Sequence, residues 1–153
     1  GAIALAESKN FAGLEEFSLY NNNIGDEGAR AIAASKYLLS LKVLFLQVNN
    51  IGLRGAIALA ESRILTNLKK LFLGDNNIGS VSARAIAASE NFLSLEVFDI
   101  SKNNIGPDGA RALINSAQLP NLRDLNLYGN PPLDVEEAAL IRLAQDQGIE
   151  LIF

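Results

Sequence analysis

A repeat of 27 residues constrains the fold of this chain more than any other feature of its sequence. Six apolar residues recur at that interval without insertion or deletion, namely Leu14, Leu41, Leu68, Leu95, Leu122 and Ile149. A second apolar series follows three residues later, from Phe17 to Ile152, and a third series follows two residues after that. Because a fixed period of this length marks one structural unit stacked on the next, the sequence predicts a solenoid.

The first part of each repeat predicts a β-strand and the second part an α-helix. Leu44 and Leu46 alternate with other residues, which is the period of a strand with one buried face. Segments 28–35 and 55–62 are rich in alanine, the best helix former, and their apolar residues recur at helical spacing. A last helix is predicted over Asp134–Asp146, ended by Gly148, and a sixth strand over Ile149–Phe153.

The widths of these two elements predict a curved shape. Neighbouring parallel strands lie about 4.8 Å apart, whereas helices with their side chains need about 10 Å. A stack with one strand and one helix in each layer therefore bends, with the strands on its inner side. We expect an α/β horseshoe segment that has a concave parallel sheet inside and α-helices outside.

The repeats predict a single domain over residues 1–153. Residues 1–13 form a partial repeat without its strand, and full repeats follow at 14–40, 41–67, 68–94 and 95–121. Residues 122–153 form a divergent repeat with Pro131 and Pro132 after its asparagine and a more polar helix, as a C-terminal capping repeat requires. We expect the chain to be the C-terminal part of a longer array, or a trimmed product, with strand 14–20 at an exposed edge of the sheet.

Three further columns of the repeat are expected to be structural. An asparagine follows each strand, and its side chain can hydrogen-bond turn backbone through both its carbonyl and its amide. Serines recur at one phase near the helix ends, which argues against a nucleophile. Paired glycines mark the turn into the helix, where a positive φ or a close approach is needed. The members are Asn22, Asn49, Asn76, Asn103 and Asn130, then Ser35, Ser62, Ser89 and Ser116, then Gly25/Gly28, Gly52/Gly55 and Gly106/Gly109.

The pattern L-x-x-L-x-L-x-x-N-x-I, as in Leu41–Ile51, resembles the signature of the leucine-rich-repeat family over essentially the whole chain. The alanine-rich helices and the pattern Asn-x-Ile-Gly-x-x-Gly-Ala, as in Asn22–Ala29, resemble its ribonuclease-inhibitor-like subfamily. Gly55–Ala60 also looks like a motif of bacterial plant-pathogen effectors that pair such repeats with an F-box. The resemblance implies a right-handed solenoid that binds another protein. It favours the cytoplasm or, for a secreted effector, the interior of a host cell.

The composition argues against several kinds of chemistry. The chain contains neither histidine nor cysteine, so Ser-His-Asp triads, Cys-His dyads and His/Cys metal sites are excluded. The net charge of −4 argues against nucleic acid or an anionic membrane as the partner. No apolar run approaches the roughly 18 residues that a membrane span needs. We therefore expect a protein that is not an enzyme and uses no cofactor.

The concave face is expected to carry the residues that recognise a partner. Positions are counted here from the first apolar residue of each repeat, for example Leu41. Because side chains alternate along a strand, the third, fifth and seventh positions point away from the core. Stacking places the equivalent positions of successive repeats side by side, in columns. These columns differ between repeats, whereas the core columns do not. The predicted binding residues are Tyr20, Val43, Phe45, Gln47, Lys70, Phe72, Asp75, Val97, Asp99, Ser101, Asn126 and Tyr128, and Phe153 is expected next in phase after Asn126.

Phe45 and Phe72 are the strongest candidates within these columns. Both occupy the fifth position of consecutive strands, with valines beside them and charged residues around them. An exposed apolar patch with a polar rim is typical of a protein-binding site, and aromatic residues supply much of the energy of such sites. Two alternatives stay open. One is a structural or self-associating fragment that pairs through strand 14–20 as a homodimer, and the other is an enzyme subunit that depends on a further domain.

Overall fold

The computed structural model describes residues 1–130 and 136–153, which alternate between short strands and helices. Its strands are β1 (Glu16–Ser18), β2 (Val43–Phe45), β3 (Lys70–Phe72), β4 (Val97–Asp99), β5 (Asp124–Asn126) and β6 (Glu150–Ile152). Its helices are α1 (Ala2–Ala6), α2 (Gly25–Ala33), α3 (Leu53–Ala60), α4 (Gly79–Ala87), α5 (Pro107–Ile114) and α6 (Glu137–Asp146), with a 3-10 helix at Lys9–Phe11. Pro131, Pro132 and the predicted helix start at Asp134 lie outside the described residues.

The strands form one open parallel sheet in the order β1-β2-β3-β4-β5-β6. Leu44 lies opposite Leu71, and every pairing from β1 to β5 keeps the same 27-residue register. Positions that share a phase in the sequence are therefore neighbours in space, which confirms the columns as far as β5. The hydrogen-bonded ladder extends beyond the strand ends, for example from the Leu46 N–H to the Phe72 carbonyl at 2.8 Å.

The core lies between this sheet and the helices. Each strand from β1 to β5 buries its central residue, and the following position of the third apolar series is buried as well. Each of α2, α3 and α4 buries the alanine-rich stripe that its spacing predicts, for example Ala29, Ile32 and Ala33 in α2. The fold is the α/β solenoid that the sequence predicts, a curved segment with its sheet on the concave side.

The last strand departs from the predicted phase by one residue. In β6, Leu151 lies opposite Leu125 and Ile152 lies opposite Asn126, so the step from β5 to β6 is 26 residues. The predictions that Ile152 continues the core series and that Phe153 follows Asn126 in the fifth column are therefore wrong. Leu151 and Phe153 pack against the core, while Ile152 is exposed. Because side chains alternate along a strand, a shift of one residue exchanges the two faces.

The asparagine column holds the turns of successive repeats together. Asn49 is fully buried, and its Oδ1 accepts hydrogen bonds from the N–H groups of Asn22 (2.9 Å) and Ile24 (3.3 Å). Its Nδ2 donates to the carbonyls of Leu19 (2.7 Å) and Gln47 (3.1 Å). This confirms the structural role, because buried backbone groups at the strand ends need such partners. The same arrangement recurs at Asn76 and Asn130, and at Asn103 the Oδ1 accepts from the Ile78 N–H while the Nδ2 donates to the Leu73 and Ser101 carbonyls. Asn22, the first member of the column, is exposed and its side chain donates to the Tyr20 carbonyl of its own turn, so it does not link two repeats.

The serine column links the helix ends in the same way. The Ser62 hydroxyl donates to the Ala33 carbonyl of the preceding repeat (2.6 Å) and accepts from the backbone N–H groups of Ile64 and Leu65 (3.2 Å each). These bonds engage the hydroxyl on both sides, which confirms that the serines are structural. The equivalent hydroxyl donors are Ser35 to Ala6, Ser89 to Ala60 and Ser116 to Ala87.

The glycines at the helix starts serve two different needs. Gly25 has a φ of +59°, and a Cβ added to Gly55 would lie 2.7 Å from Asp26 Oδ1, so one needs the left-handed backbone and the other a close approach. The expectation is wrong for Gly52, whose φ is −106° and whose nearest neighbours would lie 3.5 Å from an added Cβ. The turn at Gly52 is held instead by Asp26, whose Oδ1 accepts from the N–H groups of Gly52 (2.7 Å) and Gly55 (3.0 Å).

Candidate functional site

A stacked pair of phenylalanine rings lies on two neighbouring strands of the concave face. Phe45 on β2 is directly opposite Phe72 on β3, with 4.7 Å between the ring centroids and 7° between the ring planes. That separation matches the spacing of parallel strands, so the stack follows from phenylalanine at one phase of consecutive repeats. Both rings are partly exposed and neither belongs to the buried core. The predicted position of the pair is therefore confirmed.

A second row of side chains runs beside the rings. Val43, Lys70 and Val97 belong to the third column of the repeat, begin β2, β3 and β4, and lie opposite one another in the sheet. The valines are partly exposed and the lysine is exposed. We name the group formed by Val43, Phe45, Phe72 and Val97 the apolar platform. Lys70 lies between its two valines, where its alkyl chain can cover apolar surface while the ammonium group stays in water.

Asp99 and Ser101 border the platform on one side, and their side chains lie close to Gly74. Asp99 is directly opposite Phe72, and its Oδ1 accepts a hydrogen bond of 2.9 Å from the Ser101 N–H. A Cβ added to Gly74 would lie 2.7 Å from Ser101 Oγ and 3.2 Å from Asp99 Oδ2. The missing side chain of Gly74 therefore provides the space into which both polar side chains fit. Gly74 belongs to the seventh column by its repeat phase, but no sequence pattern indicates this role.

The other predicted residues of the face differ in exposure and in hydrogen bonding. Tyr20 and Tyr128 are well exposed, 58% and 55%, but they occupy the two ends of the seventh column. Asn126 lies opposite Asp99 and makes the same local bond, because its Oδ1 accepts from the Tyr128 N–H at 3.0 Å. Gln47 lies between Tyr20 and Gly74 in that column, and its Oε1 is buried without a hydrogen-bond partner among the described residues.

The predicted residue Asp75 lies on the rim of the face, beyond the end of β3. Asp75 has a φ of +55°, and the residues at the same phase of other repeats, Asn21, Val48 and Lys102, also have the left-handed backbone conformation. Asparagine and aspartate tolerate this conformation, whereas a β-branched residue in it is strained. Val48, with a φ of +56°, is therefore an outlier next to the platform. Its apolar character was visible in the sequence, but its backbone conformation was not predicted.

Two acidic residues and one apolar residue of this face were not among the predicted binding residues, although the repeat phase places one of them, Asp124, in the third column. Asp124 lies opposite Val97, and Glu150 lies opposite Asp124, so both continue the third column. Ile152 is 47% exposed in the fifth column beyond Asn126. The alternation of Ile149, Leu151 and Phe153 was the signal that could have shown the shifted register.

The helical side offers a second kind of surface. A groove of about 500 Å³ lies against the end of α2, and Ile3, Glu7, Lys36 and Tyr37 are among its lining residues. No group of three or more His, Cys, Asp or Glu side chains in residues 1–130 and 136–153 could hold a metal ion. None of the helices in that part of the chain is long and apolar enough to cross a membrane.

These features define a solenoid repeat protein with an open parallel sheet whose exposed side chains line its concave side. The chain belongs to the leucine-rich-repeat family, since the Leucine Rich repeat model matches residues 14–33, 37–60, 65–87 and 93–113. Its fold is similar to that of the leiomodin-1 actin-binding site 2 (ABS2), with a TM-score of 0.64, 17% identity, and coverage of 95% of this chain and 87% of that chain. No curated protein matches the sequence.

Proposed function

We propose that this chain is a protein-interaction module, not an enzyme, and that it binds its partner on the concave face of the sheet. The observation that carries the proposal is the stacked Phe45–Phe72 pair, which lies on that face outside the core. Apolar surface of this kind, surrounded by polar groups, is typical of binding sites. The fold is shared with an actin-binding site of leiomodin-1, which supports a protein as the ligand.

The twelve residues predicted from the sequence form the proposed interface, with the apolar platform at its centre. Truncation of an aromatic anchor commonly costs more than 1 kcal/mol of binding energy, because the partner loses a large desolvated contact. We expect Phe45→Ala or Phe72→Ala to weaken partner binding by at least ~1 kcal/mol with little effect on folding. Polar residues at the ends of the columns, such as Tyr20 and Tyr128, are expected to contribute less.

A differential affinity pull-down tests this proposal. Wild type, the double variant Phe45→Ala/Phe72→Ala and the control Leu39→Ala/Leu93→Ala serve as baits, and bound proteins are quantified by mass spectrometry. Leu39 and Leu93 are exposed apolar residues outside the platform. We expect a partner that binds wild type and the control but is lost on the ring variant. A partner retained by the ring variant and lost from the control would contradict the proposal.

Self-association through β1 is the second candidate. In the described sheet β1 pairs on one side only, with β2, and exposed strand edges can pair with another chain. The Leu19 and Asn21 N–H groups donate to β2, so the alternating Ser18 N–H points to the free side. Sedimentation would distinguish the two: a dimer that Ser18→Pro abolishes would favour self-association.

The ribonuclease-inhibitor-like subfamily, the repeat boundaries and an effector role inside a host cell are also proposals. The subfamily rests on the Asn22–Ala29 pattern and on the alanine-rich helices that the structure contains. The leucine-rich-repeat assignment does not depend on these finer proposals.

A further inference from the structure

The charges on the concave face are distributed unevenly. Glu16 is the one charged column residue on β1, whereas Asp99, Asp124 and Glu150 lie together on β4, β5 and β6, and Lys70 lies on β3. The four ion pairs found among the described residues, Glu27–Arg30, Glu15–Lys42, Lys69–Glu96 and Arg111–Glu136, include none of these five side chains. We name Asp99, Asp124 and Glu150 the acidic end of the face.

The acidic end adjoins the apolar platform directly. Asp99 lies opposite Phe72, Asp124 lies opposite Val97, and Glu150 lies opposite Asp124. With about 4.8 Å between strands, the three carboxylates begin one strand away from the Phe72 ring and extend to about 14 Å from it. The spacing between neighbouring strands is therefore comparable to the distance that one long side chain of a bound peptide segment can reach.

We propose that the partner presents an apolar side chain to the platform and arginine or lysine side chains to the acidic end. This inference rests on the proposed function and specifies the chemistry of its ligand. Three like charges on neighbouring strands would lose their water when a partner covers them, so a neutral or acidic segment is disfavoured. A basic segment neutralises them and is attracted from a distance. For the same reason, two copies of this chain cannot favourably join their acidic ends.

Asn126 shows how the charge can be removed without changing the local geometry. The Oδ1 of Asn126 accepts a hydrogen bond from the N–H of Tyr128, two residues further along the chain. The Oδ1 of Asp99 accepts from the N–H of Ser101 in the same way. Asp99→Asn therefore preserves that bond while it removes one negative charge. The double variant Asp99→Asn/Asp124→Asn is the test protein. Its matched control is Glu61→Gln/Glu90→Gln, which makes the same change in net charge at exposed positions on the helical side.

The probe is a phage-displayed library of random peptides, selected on the wild-type chain. Enriched peptides are sequenced, synthesised and measured by isothermal titration calorimetry against wild type, both charge variants and Phe45→Ala/Phe72→Ala. We expect enriched peptides to combine an apolar anchor with arginine or lysine. We expect affinity to fall about tenfold on Asp99→Asn/Asp124→Asn at low salt, less at high salt because the charges are screened, and to stay unchanged on the control.

The possible outcomes distinguish a failure of this inference from a failure of the proposed function. Peptides that need the rings but lack basic residues, or that bind Asp99→Asn/Asp124→Asn as tightly as wild type, overturn this inference and leave the proposed function standing. A selection in which no peptide depends on Phe45 and Phe72 overturns both. Basic peptides that lose affinity on the charge variant and on the ring variant support both.

Discussion

The rings of Phe45 and Phe72 stack on strands β2 and β3, with 4.7 Å between their centroids and 7° between their planes. The pair results from one phase of the 27-residue repeat, because the register sets Phe45 directly opposite Phe72. Both rings face solvent in part, so the stack stabilises the sheet less than a core contact does. It also holds the two rings as one preformed surface, which lowers the entropic cost of binding.

The two rings should be energetically coupled. A double-mutant cycle of Phe45→Ala and Phe72→Ala, measured by urea denaturation, is expected to give a coupling energy of about 0.5 kcal/mol, the lower end of the range for an aromatic pair because both rings are partly exposed. The control cycle with Leu39→Ala and Leu93→Ala should be additive, since those residues lie two repeats apart. Additive effects of the two ring truncations would contradict the stacked geometry.

Gly74→Ala should weaken partner binding without unfolding the chain. An added Cβ at this position meets the ends of two side chains, Ser101 Oγ and Asp99 Oδ2, which can rotate away. The expected change in the free energy of unfolding is below about 1 kcal/mol, whereas the position of Asp99 beside Phe72 is altered. Calorimetric titration with a partner or a selected peptide measures the effect. Unchanged affinity would show that the orientation of Asp99 does not matter for binding.

Removal of one buried asparagine should destabilise the solenoid strongly. Asn49→Ala leaves the N–H groups of Asn22 and Ile24 and the Leu19 carbonyl without their side-chain partners. With about 1–3 kcal/mol for each group left unsatisfied, we expect a loss of roughly 3 kcal/mol or more. Asn22→Ala is the matched control, because the Asn22 side chain is exposed and donates one bond, to the Tyr20 carbonyl. Equal losses in the two variants, measured in urea, would contradict a structural asparagine column.

Val48→Asn should stabilise the chain. Val48 is a β-branched residue with a φ of +56°, and Asn21 occupies the same phase with the same φ. Relief of left-handed strain is expected to raise the free energy of unfolding by about 1 kcal/mol. The control is Val81→Asn on helix α4, an exposed valine outside this turn, which should not stabilise. A lower thermal midpoint for Val48→Asn would contradict this interpretation of the turn.

The sequence predicts most of this fold because the constraint is repeated. The core series, the asparagine column and the position of the phenylalanine pair all follow from one period, and each repeat supplies an independent instance of it. The prediction failed at β6, where the step is 26 residues and Leu151 replaces Ile152 in the core series. A fixed period cannot reveal a single deletion near its end, although the alternation of Ile149, Leu151 and Phe153 could.

The candidate site was predictable by position but not in its fine structure. The columns identified Phe45 and Phe72, since their placement depends only on register. The space above Gly74 and the left-handed backbone at Val48 depend on atomic contacts and backbone angles that no residue pattern specifies. Asp99 was predicted and Asp124 follows from the repeat phase, but Glu150 enters its column only through the shifted register of β6, so the three carboxylates were not recognised as one group.

The central claim is that the partner occupies the concave sheet face, and nuclear magnetic resonance tests it most directly. The isotope-labelled chain of 16.4 kDa is titrated with a partner or selected peptide, and the shifts of assigned backbone and aromatic resonances are mapped. The account predicts that the largest changes centre on Phe45, Phe72 and Asp99. Changes centred instead on the helical side, for example on the groove beside Tyr37, would contradict it.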